Sequence, residues 1–473
     1  MIRFLFVLSL CVVATLHAQE KRPNILWLIA EDFGPHLGCY GTKEVSSPVL
    51  DALAAKGMRF TRYYTTAPVC SASRSAFNTG MYQTTIGAHN HRSHRDDGFT
   101  LPEGVKVISE RMREAGYFTA NVKDLPPEAG FKGTGKTDWN FQEPAKPFDS
   151  SKWDDLKQHQ PFYAQLNFSE THRTFHAPPH ADPAKVEIPP YYPDHEVTRK
   201  DMAQYLDAAT ELDRKIGKVM ELLQRDGLME NTVICFLGDH GAAHVRAKQF
   251  CYEEGLITPL ILSWPPGIPA PAGYVAGKVS DQLLMSIDLT ATSLAWAGIP
   301  KPKGMQGRVF MGPNAEPPRE YVFGARDRCD MTVFRLRTVA DARYRYIRNF
   351  TPDRPFLQHN AYKEKQYPVW NLIKELAAQD KLTPAQAVLA APTMPEVELY
   401  DLQEDPYEIN NLANSNKPEH RAARERLSSV LNAWIERTND QGRIPEPEEV
   451  ARNEGRTKEA PPAKQGKGRK KKE

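Results

Sequence analysis

The sequence predicts an α/β fold: a large, doubly wound mixed sheet sandwiched by helices, followed by a smaller α+β C-terminal subdomain. Three apolar runs, Asn24–Ala30, Phe162–Phe168 and Thr232–Gly238, have the length and continuity of strands buried on both faces of a sheet. Helical segments separate them, and strands alternating with helices wind a sheet of this kind. After about Pro313 the apolar runs shorten and the alternation stops.

Asn24–Ala30 ends in two acids, Glu31 and Asp32. Ser46-Ser47-Pro48 then caps a helix through Val49, Leu50, Leu53 and Ala54 that Gly57 stops. A second helix opens at Cys70, and a third lies near Val107–Ala115, before the strand-like Tyr117–Val122. Proline and glycine make Leu125–Pro147 a loop. Phe162–Phe168 ends in the polar group Ser169–His176, and an amphipathic helix runs from about Met202 to Arg225. Thr232–Gly238 ends in Asp239 and His240; Pro259–Ser263 reads as a strand and Met285–Ala297 as a helix. In the second part Tyr321–Gly324, Thr332–Arg337 and Tyr344–Arg348 read as strands, Arg337–Arg343 as a turn and Glu419–Arg437 as a helix. The expected division is a leader at 1–18, a main domain at 19–312, a C-terminal subdomain at 313–445 and a disordered basic tail at 446–473.

With 40% hydrophobic and 25% charged residues in 473, the chain has the composition of a soluble globular protein with a sizeable core. Arg3, the apolar stretch Phe4–Leu16 and Ala18 form a secretory signal peptide, too short for the about 20 apolar residues that span a bilayer. Cys11 invites a lipoprotein reading, but the bulky Leu10 before it and the better cleavage point downstream argue against it. A periplasmic or secreted protein follows, with no integral membrane segment once the leader is gone. Cys39, Cys70, Cys235, Cys251 and Cys329 remain, and an odd number calls for at least one unpaired or modified thiol. The formal charge of +2 misleads: of 61 basic and 59 acidic residues, the leader and the last ten residues hold seven and one. The body is therefore slightly acidic, and the basic tail lacks the aromatic interleaving that nucleic-acid binding would use.

Glu31/Asp32, Ser169–His172 and Asp239/His240 all follow strands, and open α/β sheets place their sites at such strand ends. Three carboxylates suit Ca²⁺ and, less well, Mg²⁺, with the His240 imidazole either a fourth ligand or a donor to the ligands. Cys70-Ser71-Ala72-Ser73-Arg74, continuing to Gly80, opens a helix beside them. This string resembles the signature of type I sulfatases, formylglycine-dependent enzymes of the alkaline-phosphatase-like superfamily. Glu398–Leu412 is similar to their closing segment, so the resemblance covers most of the chain. The pattern looks closest to the heparan N-sulfatase (N-sulfoglucosamine sulfohydrolase) branch.

The resemblance implies roles residue by residue. Glu31, Asp32, Asp239 and His240 fall at the metal-ligand positions. Cys70 falls at the nucleophile, which also faces the metal and is oxidised to formylglycine by a formylglycine-generating or sulfatase-maturing enzyme. Arg74 steadies the aldehyde hydrate, and His172 and Lys248 contact the sulfate and protonate the leaving group. Two departures are mild: Glu31 replaces the commoner Asp, and His240 replaces Asn. A third is larger, because the usual Gly-Lys-x-His element has no histidine here. Val122-Lys123-Asp124 and Gly135-Lys136-Thr137-Asp138 both compete for it. Gly135-Lys136 keeps the glycine, which favours Lys136, with Asp138 as proton acceptor when sulfate leaves.

For the substrate, His89, His91 and Arg92 follow the signature helix where related enzymes reach the sugar, and Arg326 and Asp327 are candidates to enter the same cleft. The implied activity is hydrolysis of sulfate esters or sulfamates on a sulfated glycan or amino sugar. A phosphodiester or phosphonate hydrolase on the same fold is one alternative, and an unconverted, non-catalytic glycan-binding homologue another.

Overall fold

The computed structural model describes residues 22–94 and 97–447. The leader, and the tail from residue 448 onward, lie outside the described residues. Among those described, nine strands form the larger sheet: β1 (Asn24–Ala30), β2 (Met58–Tyr64), β3 (Phe118–Asp124), β4 (Ser150–Lys152), β5 (Phe162–Phe168), β6 (Thr232–Gly238), β7 (Ile257–Ser263), β8 (Val279–Ser280) and β9 (Leu284–Met285). Their order is β4-β3-β5-β1-β6-β7-β2-β8, with β9 beside β2. β1 pairs parallel with both β5 and β6, whereas β7 runs antiparallel to β6 and β2. The sheet is mixed, as the sequence predicts.

β1 lies at its centre and shows why its sequence is apolar throughout. Leu26, Leu28 and Ala30 enter the core on one face, and Ile25, Trp27 and Ile29 enter the core on the other. The helix Glu196–Arg225 covers the first face with Met202, Leu206, Ala209, Leu212, Ile216, Val219 and Leu223, a stripe at helical spacing. It begins six residues earlier than the sequence predicts, because the His195 side chain caps it by accepting from Val197 N. On the second face the helices Cys70–Thr79 and Ser286–Trp296 pack together.

The C-terminal part is an antiparallel sheet of β10 (Val322–Arg326), β11 (Leu336–Ala340), β12 (Tyr344–Asn349) and β13 (Val397–Asp401), in that order. Here β11 corrects the expectation of a strand over 332–337 and a turn over 337–343. Arg337 looks like a turn residue but is fully buried within the strand, where Asp327 and Asp440 neutralise it at 3.0 and 2.5 Å. β13 and the helices Ala361–Gln366, Pro368–Ala378 and Pro384–Ala390 were not anticipated.

A polar seam joins the two sheets. Arg345 of β12 pairs with Glu253 and, at 2.9 Å, with Glu408. Arg246 lies 3.7 Å from the centre of the Tyr252 ring and donates to the carbonyls of Tyr407 and Glu408. Burial pushes the Glu408 carboxyl up to about 7, against the pull of Arg345 and Arg246. Among the described residues the five cysteines are free thiols, and no helix is long and apolar enough to cross a membrane.

Candidate active site

Register brings the strand ends together. Ala30 of β1 stands opposite Phe168 of β5 and Gly238 of β6, so the next residues of all three strands emerge at one level. The ladder runs one step further, with Glu31 N donating to Phe168 O at 3.0 Å and Asp239 N to Ala30 O at 2.9 Å. Asp32 then turns into the left-handed region (φ +52°) and donates its N–H to Asp239 Oδ1 at 2.8 Å. Gly238 permits this approach, since a Cβ there would lie 2.3 Å from Phe33 O.

The helix Cys70–Thr79 points its first turn into this edge, and all ten of its residues are buried. Its polar side chains are satisfied inward: Ser75 Oγ donates to Ser71 O and Thr79 Oγ1 to Ser75 O. Cys70 Sγ lies 3.3 Å from His240 Nε2 and 3.7 Å from Asp32 Oδ1. One turn on, the same face carries Arg74. Its Nε donates to Asp239 Oδ2 at 3.0 Å and its Nη1 to Asn167 Oδ1 at 2.8 Å. Nη2 is buried without a partner, an orphaned donor suited to an anionic oxygen.

The structure separates the two lysine candidates. Lys123 is exposed, whereas Lys136 Nζ donates to Glu31 Oε2 at 2.7 Å and lies 3.8 Å from Asp138 Oδ2. Asn121 holds the Lys136 loop by donating to Gly135 O, and Asn167 in turn donates to Asn121 Oδ1. Arg92 grips Asp138 with two parallel bonds of 2.9 and 2.8 Å. Burial opposes ionisation of Asp138, but the Arg92 fork outweighs it and holds the carboxyl well below the usual carboxylate range.

On the other side, Lys248 Nζ donates to Asp32 Oδ2 at 2.6 Å and lies 3.4 Å from His172 Nε2. Burial opposes the ammonium charge, yet Asp32 raises its pKa well above the lysine range. His172 places Nδ1 2.7 Å from Arg173 O, so that nitrogen carries the proton and the Nε2 lone pair faces Lys248. Asp32 draws the His172 pKa up, but Lys248 and burial together leave it lowered.

Asp32, Cys70, Asp239 and His240 each offer one atom to a point where all four lie within 4.8 Å of one another. Burial pushes the Asp32 carboxyl up, but Lys248 and then His172 hold it well below its ordinary value; for Asp239, His240 and Arg74 do the same against burial. Burial disfavours a charged His240 ring, but Asp239 and Asp32 outweigh it and push its pKa up to about 10. His240 Nδ1 faces Gly241 O at 3.0 Å, which leaves Nε2 toward the acids. Two carboxylates and this nitrogen fit a divalent cation. Glu31, expected as a ligand, is turned to Lys136 and stands outside the four.

The other expected substrate residues divide. Arg92 borders an open cleft of about 710 Å³ with Lys136, Asp138 and Trp139. His91 is buried, its Nδ1 3.1 Å from Ser71 Oγ. Arg326 and Asp327 do not enter the cleft: Arg326 is buried against Phe250 and Phe334, and Asp327 pairs with Arg337. His89 is half-buried, and Asp327 and Arg337 act on its ring. Arg337, itself held by Asp440, draws Asp327 inside. Asn167 was missed; its place at the end of β5 was the signal that could have found it.

Residues 23–299 match the family described as sulfatase. An ulvan-active sulfatase of Formosa agariphila is 31% identical, over 94% of this chain and 83% of that protein. Human N-sulphoglucosamine sulphohydrolase is 25% identical, over 92% of this chain and 93% of that protein. The solved structure of a 2-O GAG sulfatase superposes with a TM-score of 0.64 at 17% identity, covering 91% of this chain and 96% of its own.

Proposed function

The chain belongs to the sulfatase family and hydrolyses sulfuric esters or sulfamates; from that premise we propose an exported, Ca²⁺-dependent enzyme that uses Cys70, converted to formylglycine, on a sulfated polysaccharide. The observation that carries this reading is the position of Cys70 Sγ. It sits beside His240 and Asp32, ringed by the cations Arg74, Lys136 and Lys248. Formylglycine there would supply a nucleophile with a built-in exit for sulfate, and a cation held by Asp32, Asp239 and His240 would supply charge neutralisation. Ca²⁺ suits this irregular set better than Mg²⁺, which demands near-octahedral ligands.

The remaining steps fall to the chain's own side chains. A sulfate monoester is electron-rich, so attack at sulfur requires its oxygens to be held by positive groups. Arg74 Nη2 is the donor left free for one of them, and Lys136 is the second cation. Lys248 has three N–H donors, of which one is on Asp32 and another faces His172. The third serves the leaving oxygen or nitrogen, and the His172 lone pair takes up a proton from water and passes it to the Lys248 amine. Asp138 acts as the anchor of Arg92 and screens Lys136; a carboxylate gripped by arginine is a weak base.

Cys70 is about 1% exposed, so a maturing enzyme reaches it before this helix folds. The relative acting on ulvan makes ulvan oligosaccharides the first substrates to test, with N-sulfated glucosamine second. Mass spectrometry of the Cys70 peptide, with sulfate release from these substrates, tests the proposal. An intact thiol in every molecule, or an aldehyde without release, refutes it.

A further inference from the structure

Lys248 stands on a stretch without regular structure. From within the stretch, Lys248 N donates to Ala242 O at 3.2 Å, and Gln249 adopts φ +77°. Gln249 N donates to Pro68 O and Arg246 N to the Tyr192 hydroxyl, each at 2.7 Å, and further ties come from the short helix Ala361–Gln366. Lys363 is fully buried, and its Nζ donates to Val245 O at 2.8 Å and to Lys248 O at 2.7 Å. Among the described residues no carboxylate pairs with it; the rings of Phe250, Tyr367 and Trp370 surround it at 4.9, 5.1 and 5.3 Å. Asn360 makes a second tie, donating to Gln249 Oε1 at 3.1 Å while its Oδ1 accepts from Lys363 N at 3.0 Å.

The same helix reaches the other proton-handling residue. Arg173, next to His172, donates to Gln366 O at 3.1 Å and lies over the Tyr367 ring at 4.1 Å. A lysine buried without an acid is costly, and an apolar side chain would fill the aromatic box as well. What the amine adds is two hydrogen bonds to main-chain carbonyls, one of them on Lys248 itself. Burial, and then the nearby Arg326 guanidinium, press its pKa well below the lysine range.

We propose that Lys363 is a positioning residue for the reaction, fixing the backbone at Val245–Lys248 so that the Lys248 ammonium meets the leaving group, with Asn360 as its support. This rests on the reading of Lys248 as leaving-group acid. An acid matters most when the departing group is a poor one, such as a sugar hydroxyl, and little for nitrophenol.

The test uses mature enzyme and the ratio of kcat/KM on 4-nitrophenyl sulfate to that on an ulvan oligosaccharide. Both are measured on one preparation, so any misfolded fraction cancels. Lys363→Met is expected to raise this ratio roughly tenfold or more through kcat on the sugar, with its KM nearly unchanged. Lys248→Ala raises it further, and Lys363→Met adds nothing on that background. Lys363→Gln, which keeps two N–H groups, serves if the methionine variant does not fold and gives a smaller rise. A ratio that rises in Lys248→Ala but stays at the wild-type value in both Lys363 variants overturns the positioning role alone. If Lys248→Ala itself leaves the ratio unchanged, the reading of Lys248 fails and the proposal falls with it.

Discussion

Replacing Asp138 by Asn distinguishes an anchor from a base. The carboxylate makes bonds of 2.9 and 2.8 Å to Arg92 and lies 3.8 Å from Lys136. Asparagine keeps the shape but loses the charge and one acceptor. Charge-assisted hydrogen bonds contribute about 1.5–3 kcal/mol each, and removing one partner of a fully buried pair costs about 3–5 kcal/mol. The Arg92 side chain is 22% exposed, so water recovers part of this and a loss of about 2 kcal/mol is expected. In kinetics the anchor role predicts a raised KM, because Arg92 is no longer held at the cleft, and kcat within about tenfold of wild type. The assay follows released alcohol and released sulfate separately over the first turnover, with a urea melt alongside. A base role predicts one equivalent of alcohol in a burst, followed by sulfate release slowed by about 10²–10⁴. That burst would refute the anchor assignment.

Other outcomes follow from the same geometry. Arg74→Lys keeps the charge but cannot span Asp239, Asn167 and a substrate oxygen; kcat/KM should fall about 10²–10³-fold, and a loss under threefold would show that the free Nη2 is idle. Lys136→Met leaves Glu31 buried without its 2.7 Å partner, and should lower both sulfate turnover and the urea midpoint. Removing divalent ions with EDTA should abolish turnover and lower Tm, with Ca²⁺ restoring both better than Mg²⁺. The folded Glu408 carboxyl titrates near 7, above its ordinary 4.5. The native state therefore binds more protons in between, and this group's contribution falls as pH rises from about 4.5 through 7. The span is on the order of 3 kcal/mol, and Glu408→Gln should flatten that part of the stability–pH curve.

The parts legible in the sequence are those where one residue type decides the outcome locally. β1 and β6 are apolar on both faces because both faces are covered, and the acids following them could only emerge at the sheet edge. β2 was harder, because Arg59, Thr61 and Arg62 break its apolar pattern while Phe60, Tyr63 and Tyr64 are buried. β11 was misplaced because Arg337 reads as solvent-facing until Asp440, 103 residues away, is known to meet it. In the site, Asp32, Cys70, Arg74 and His240 followed from strand ends and the signature string. The glycine before it favours Lys136 over Lys123, and its 2.7 Å contact with Glu31 gives its place, whereas Lys363 could not be foreseen at all. Nothing local distinguishes that buried amine from the exposed lysines around it.

The pairing of Arg337 with Asp440 bears on the order in which the chain can finish folding. Residues 438–441 are sewn not only to Arg337 but also to the exit of the signature helix. Gln441 N donates to Thr84 O at 2.9 Å, and Thr85 Oγ1 donates to Thr438 O at 2.8 Å. As the chain leaves the ribosome, every residue of the candidate site is made long before these partners exist. A nascent chain halted before residue 438 carries every residue of the candidate site but a buried guanidinium short of one of its two counter-charges. The exit of the helix Cys70–Thr79 is thus fastened by residues that lie 353 positions further along the chain, so the first helix of the site is among the last to be locked in place.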